Sequence, residues 1–322
     1  MGRITAAALA WGLAIPGLAQ WPTVAKAPAA KPPAAQAGGT GENPVFRSDV
    51  RLVRLQVTVK NAAGGLIGGL EKSDFTVSDG GVAQEIAVFE RNTALPLSVS
   101  MMVDTSGSTG KDLDYELESV TRFFRVLLRE GNAEDTAALY SFNWQVTLNA
   151  PYTRQIARLE RGLRALRSDG GTSLYDAIFL ASRDMEAREG RHAMILVTDG
   201  GDTTSTKDFD AALEEAQRAE TAMYAVVVVP IPNEVGRNIG GEHALATMAA
   251  RTGGRIFLPA PGEELDRAFD EILRELRTQY LLGYYPKGAP ATKNKFHTVT
   301  VAVRRPDLRA ITRSGYYGEA AP

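Results

Sequence analysis

Leu97–Ser98–Val99–Ser100–Met101–Met102–Val103–Asp104–Thr105–Ser106–Gly107–Ser108 decides how the rest of the chain is read. The first seven residues are mostly apolar, as expected of a strand buried in a parallel sheet. Beyond Ser108, Leu113, Leu117, Val120, Phe124, Leu127 and Leu128 recur at helical spacing, which predicts a helix from Lys111 to Arg129. Asp104, Ser106 and Ser108 therefore belong at the carboxyl end of a central strand, where open α/β sheets bind ligands. Three oxygen side chains at alternating positions, separated by small residues, can converge on one point. Oxygen-only ligation suits a hard cation such as Mg2+.

Two later stretches carry related chemistry. Gly170–Gly171–Thr172–Ser173–Leu174–Tyr175–Asp176–Ala177 is a loop entering a helix, and Met194–Ile195–Leu196–Val197–Thr198–Asp199–Gly200–Gly201 is a buried strand leaving into a loop. With the D-x-S-x-S run, these stretches resemble the metal-ion-dependent adhesion site of a von Willebrand factor type A domain. The resemblance implies that Ser106, Ser108 and Thr172 contact a metal through their hydroxyls. Asp104 and Asp199 would then act directly or through water. It implies Mg2+, with Mn2+ or Ca2+ as alternatives, and a protein partner whose Asp or Glu fills an open coordination position.

Each piece also has a plainer reading. Asp104, Ser106 and Ser108 are good helix caps, Thr172 suits a cap for the helix from Leu174, and Asp199–Gly200 suits a turn. Caps do not account for all three pieces together. Asp176 falls in a first helical turn, where the macrodipole favours it. Asp202 reads as loop solvation and Asp208 as a cap. Asn143 and Trp144 follow another strand and flank the same face, with Trp144 read as a packing residue.

The 322 residues carry a net charge of −2, so no basic surface for nucleic acid is implied, and 44% hydrophobic residues can fill a substantial core. No cysteine is present, which excludes disulfides and thiolate chemistry. Residues 1–20 read as a signal peptide: Arg3, an apolar run from Ile4 to Ile15, and a small-residue end at Pro16–Gly17–Leu18–Ala19. Residues 21–48, rich in Ala and Pro, read as a tether. No later stretch is long and apolar enough to span a membrane. The oligomeric state is not legible.

Residues 49–93 read as strands without helices: Arg51–Lys60, Leu70–Val77 and Gln84–Arg91, with a tight turn at Asp79–Gly80–Gly81. The glycines at 64, 65, 68 and 69 precede no helix, so no phosphate loop is read there. Strands and helices alternate through residues 94–278. A short antiparallel edge is expected at Val146–Leu148, and a helix capped by Thr153 from Thr153 to Arg167. The expected fold class is α/β, a doubly wound, mostly parallel sheet with helices on both faces. Residues 279–318 turn to strands again. The two terminal strand sets are expected to pair as halves of one small β-sandwich around the type A domain. The layout resembles a bacterial group of exported von Willebrand factor type A-related proteins, on Ser73–Asp74–Phe75 before the domain and Leu282 to Pro286 after it.

The resulting expectation is an exported, metal-dependent protein-binding module acting in adhesion or assembly. Its alternatives are a structural envelope protein with a vestigial metal site and a metal-assisted hydrolase. The position that a phosphoaspartate enzyme fills with a second Asp is Ser106, and no G-x-S-x-G elbow surrounds Ser106 or Ser173. His192, His243 and His297 form no cluster in sequence, which argues against zinc.

Overall fold

In the computed structural model, described over residues 52–91, 95–109, 113–228, 238–288 and 295–318, the stretch ending at Asp104 is the central strand β5, Leu97–Asp104. The expected signal peptide and tether, and the start of the first helix, lie outside the described residues. Every residue of β5 is buried. Val99, Met101 and Val103 enter one core layer, and Met102 enters the other. Ser98 and Ser100, buried on the strand, are satisfied by side chains: Ser100 Oγ lies 2.7 Å from Tyr152 Oη, and Arg188 Nε donates to Ser98 Oγ at 2.8 Å. Buried hydroxyls require such partners.

Around β5 lies a six-stranded sheet. Its strands are β6 (Thr136–Phe142), β7 (Val146–Thr153), β8 (Arg191–Thr198), β9 (Thr221–Val227) and β10 (Arg255–Phe257), in the order β10-β9-β8-β5-β6-β7. All pairs are parallel except β6 with β7. Helices α1 (Leu113–Glu130), α2 (Ile156–Ala165) and α6 (Glu263–Arg277) cover one face. On the other lie α3 (Leu174–Glu186), α4 (Phe209–Arg218) and α5 (Ile239–Thr252). This is the doubly wound architecture expected.

Two local expectations need correction. The edge strand β7 runs to Thr153, well past Leu148, so Thr153 ends a strand and does not cap α2. Its hydroxyl accepts from Gln155 N, and Gln155 takes the capping position. The stretch from Gln84 to Arg91 is not one strand. β3 (Val82–Gln84) pairs with β2 (Phe75–Asp79), whereas β4 (Ile86–Arg91) pairs in a different sheet, so the chain changes sheets at Glu85.

The remaining strands form two four-stranded antiparallel sheets. β1 (Val53–Asn61) pairs with β11 (Tyr280–Tyr284) and with β13 (Leu308–Ile311), and β4 closes that sheet. The second sheet orders β14 (Gly315–Tyr317), β12 (Phe296–Val303), β2 and β3. Between them Leu55, Val57, Phe75, Val77, Tyr280 and Leu282 make one core. His297 is not isolated within it. It is buried, stacked on Tyr316, with Nδ1 3.5 Å from Asp79 Oδ1. Asp79 also accepts from the Tyr284 and Tyr316 hydroxyls, each at 2.9 Å.

The strand-only region packs against the amino end of the parallel sheet. Ser314 N donates to Arg251 O at the end of α5, and Arg218, ending α4, lies over the Tyr317 ring at 4.4 Å. Arg191, opening β8, donates to Leu95 O on the entry to β5 and to Leu276 O near the end of α6. The carboxyl end of the sheet, where Asp104 lies, is left clear of the strand-only region.

Candidate metal centre

Asp104 ends β5 fully buried. Its Oδ1 accepts from Ser106 N at 2.8 Å, bending the chain back over the strand end. Its Oδ2 accepts from Thr198 Oγ1 at 2.6 Å, which ties β5 to β8 just before Asp199. Ser106 Oγ lies 3.1 Å from Ser108 Oγ, so these two hydroxyls face one another.

Burial pushes the Asp104 carboxyl up to about 6. Hydrogen bonds from Thr198 and Ser106 oppose the rise, and the neighbouring Asp199 carboxylate adds to it. Two carboxyls close enough to interact, one of them buried, form a site that gains from a counter-cation.

Thr172 is buried on a second loop, held to the first through backbone. Gly107 N donates to Gly170 O at 3.1 Å, and Asp169 N donates to Thr105 O at 2.8 Å. Gly170 has φ +68°, and a Cβ there would fall 2.2 Å from Trp144 Cδ1, so only glycine fits beneath that indole. Thr172 N donates to Thr203 Oγ1, and Thr172 O accepts from Thr203 N and Thr204 N. Both backbone polar groups of Thr172 are thus spent on the neighbouring loop.

Asp199, part-buried, opens that neighbouring loop after β8. The three loops are thus bonded pairwise, and the five predicted residues lie on them at one end of the sheet. Asp202 does more than face solvent. Its Oδ1 accepts from Leu174 N at 2.9 Å, Tyr175 N at 3.3 Å and Ser205 Oγ, so it caps α3 from the loop following Asp199. Asp176 accepts from Thr206 N and Lys207 N, fastening the same loop from the helix side. Asp208 caps α4 through Ala211 N, as read from sequence. The D-G-G-D-T-T-S-T run held the signal for these bonds, since short oxygen side chains there suit backbone donors, but it did not say which helix they reach.

Residues 99–201 match the von Willebrand factor type A domain family. The matched residues run from within β5 to the loop after β8, the part of the central α/β layer that carries Asp104, Thr172 and Asp199. Among solved structures with a similar fold is the von Willebrand factor domain of the type V pili tip protein Mfa5 from Porphyromonas gingivalis. It is 17% identical, covering 56% of this chain and 95% of that one, with a TM-score of 0.48. The von Willebrand factor type A protein from Catenulispora acidiphila is 12% identical, covering 84% of this chain and 76% of that one at a TM-score of 0.46. BatB from Bacteroides thetaiotaomicron is 21% identical over 56% of this chain and 98% of that one, at 0.41. No curated protein matches the chain.

Asp104, Asp199, Ser106, Ser108 and Thr172 offer two carboxyls and three hydroxyls, an all-oxygen set whose chemistry would fit Mg2+, Mn2+ or Ca2+ and not a soft metal. Among the described residues no group of three or more Asp, Glu or His side chains could hold a metal by itself.

Proposed function

We propose that the chain is an exported protein-binding module of the adhesion or assembly type. Asp104, Ser106, Ser108, Thr172 and Asp199 would hold a divalent cation, Mg2+ before Mn2+ or Ca2+. When bound, that cation supplies an open coordination position for a partner's Asp or Glu. The residues here do the rest. Asp104 orients the Ser106 loop through Ser106 N, Thr198 orients Asp104, and the paired Thr172 and Asp199 loops keep the opposite side in register. Because three donors are neutral hydroxyls, a bound cation keeps more of its charge for an incoming acid than it would in a carboxylate cage.

The observation that carries this reading is the pairwise bonding of the three loops, with the two Asp carboxyls near enough to raise Asp104. Export rests on the apolar run before Pro16. Among the described residues no helix is long and apolar enough to cross a membrane.

Titration calorimetry of Mg2+ and Mn2+ into the full chain tests the reading. Uptake of one cation, lost in Thr172→Ala and Asp199→Ala with the circular dichroism spectrum unchanged, is the expected result. Absence of uptake by well-folded protein defeats it.

A further inference from the structure

Exposed apolar side chains are not spread evenly over the molecule. Of the eight large hydrophobic residues exposed among the described ones, four sit at the carboxyl end of the central sheet: Tyr115 (60% exposed), Trp144 (57%), Ile239 (58%) and Leu258 (48%). The other four are scattered over the sandwich, β7 and α3. Tyr115 is in the first turn of α1, directly after the Asp104 loop. Trp144 is at the tip of the β6–β7 hairpin, Ile239 opens α5 after β9, and Leu258 follows β10. In strand order, the apolar residues flank the oxygen cluster of β8 and β5 on both sides.

Two of them belong to elements fastened against the site's loops. Trp144 O accepts from Ser173 Oγ at 3.2 Å, and Asn143 O accepts from Ser173 N at 2.6 Å, so the hairpin tip is bonded next to Thr172. The indole rests on Gly170, whose carbonyl binds Gly107. On the other side the first turn of α5 is pressed against the residue after Asp199: a Cβ on Gly241 would lie 1.5 Å from Gly200 O. An exposed indole held in one position loses little entropy on docking, and tryptophan is enriched among residues that dominate binding energy.

We propose that this rim selects a protein segment carrying one acidic residue between apolar ones, and that Trp144 and Ile239 are the specificity-determining contacts. The proposal rests on the metal-dependent reading of the same site. Strands lie about 4.8 Å apart, so the end of β6, where the Trp144 hairpin starts, and the end of β9, which α5 follows, each lie about one and a half spacings, about 7 Å, from the midpoint of β5 and β8. An extended segment laid along the strand ends places same-face residues about 7 Å apart. The fitting pattern is apolar-x-acid-x-apolar, with the acid at the oxygen cluster and one apolar side chain toward each flank. A run of acids, or an acid with charged neighbours, would leave both apolar flanks wet.

A displayed library of linear peptides with a fixed central aspartate and randomised flanks, selected on the immobilised full chain in Mg2+, tests this. Enrichment of Leu, Ile, Phe, Tyr or Trp two positions from the aspartate is expected. The enriched peptide should bind Trp144→Ser or Ile239→Ser about tenfold more weakly or worse, with Mg2+ uptake by calorimetry unchanged. Enrichment of charged flanks, enrichment at no position, or undiminished binding to both variants overturns the proposal. Apolar enrichment that persists in chelator supports the rim and overturns the metal reading instead. Loss of enrichment in chelator supports both.

Discussion

At the residue scale, Asp104 sets the energetics of the rim. It is buried, and burial pushes its carboxyl up to about 6 from the ordinary 3.8, so folding without metal shifts it toward its protonated form. The raised value means that stability is fully present below 3.8 and is lost as pH rises through about 6. The gap corresponds to about 3 kcal/mol at most. Metal-free protein should therefore have a lower denaturant midpoint at pH 8 than at pH 5. Asp104→Asn, neutral at both, should flatten that difference, and an unchanged difference in the variant would assign it to other groups. Competition between proton and cation should also weaken Mg2+ uptake at pH 5 relative to pH 8. The same scale explains Gly241. Ala there would drive a methyl into the Gly200 carbonyl, and the predicted cost is at least about 2 kcal/mol with weakened cation uptake. Thermal melts and calorimetry of Gly241→Ala check both.

At the element scale, the loop from Asp199 to Asp208 is bound to the first turn of α3 from both sides, through Asp202 and Asp176. The Thr172 loop, the Asp199 loop and α3 therefore form one bonded unit, to which the Ser106 loop is joined through Gly107–Gly170 and Asp169–Thr105. Asp202→Ala removes the cap of α3, leaving the Leu174 and Tyr175 N–H donors without their acceptor. It should cost about 1–2 kcal/mol of stability, in the range of a lost cap. Cation affinity should fall as well, because Thr172 and Asp199 would no longer be held in register. A variant that loses stability while keeping cation affinity would show that Asp202 serves only the helix. The β6–β7 hairpin is a second rigid element, since Ser173 binds the backbone of both Asn143 and Trp144.

For the whole molecule, the described chain passes between the strand-only region and the α/β layer on entering β5 and on leaving α6, and one side chain braces both crossings. Arg191 is buried, its guanidinium donates to Leu95 O and Leu276 O, and its backbone N–H donates to Pro96 O. Arg191→Met should weaken the coupling between the two regions, so that one cooperative thermal transition separates into two. A single sharp transition in the variant would show that packing alone couples them. Both partners of β1 come from the carboxyl-terminal strands. A chain ending after α6 would leave β1 with open edges and buried-type valines exposed, and should aggregate.

The α/β layer is legible from local pattern alone. Buried strands such as β5 and β8 are continuous apolar runs, helices such as α6 carry a clean stripe, and both signals are local. Local pattern also placed Asp104, Ser106, Ser108, Thr172 and Asp199 at strand ends and loops, because hydroxyls and acids after an apolar run mark where the sheet stops. Only the tertiary structure decided which loops touch, since the order β8-β5-β6 and the bonds of Asp202 and Thr198 join residues far apart in the chain. The same holds for Asp79, whose burial beside His297, Tyr284 and Tyr316 depends on three other strands arriving from the far end of the chain. Trp144 looked like a packing residue and is exposed, because its large ring suits a core and a docking surface equally. Periodicity records which face of an element is dry, and only the assembled neighbours fix what that face meets.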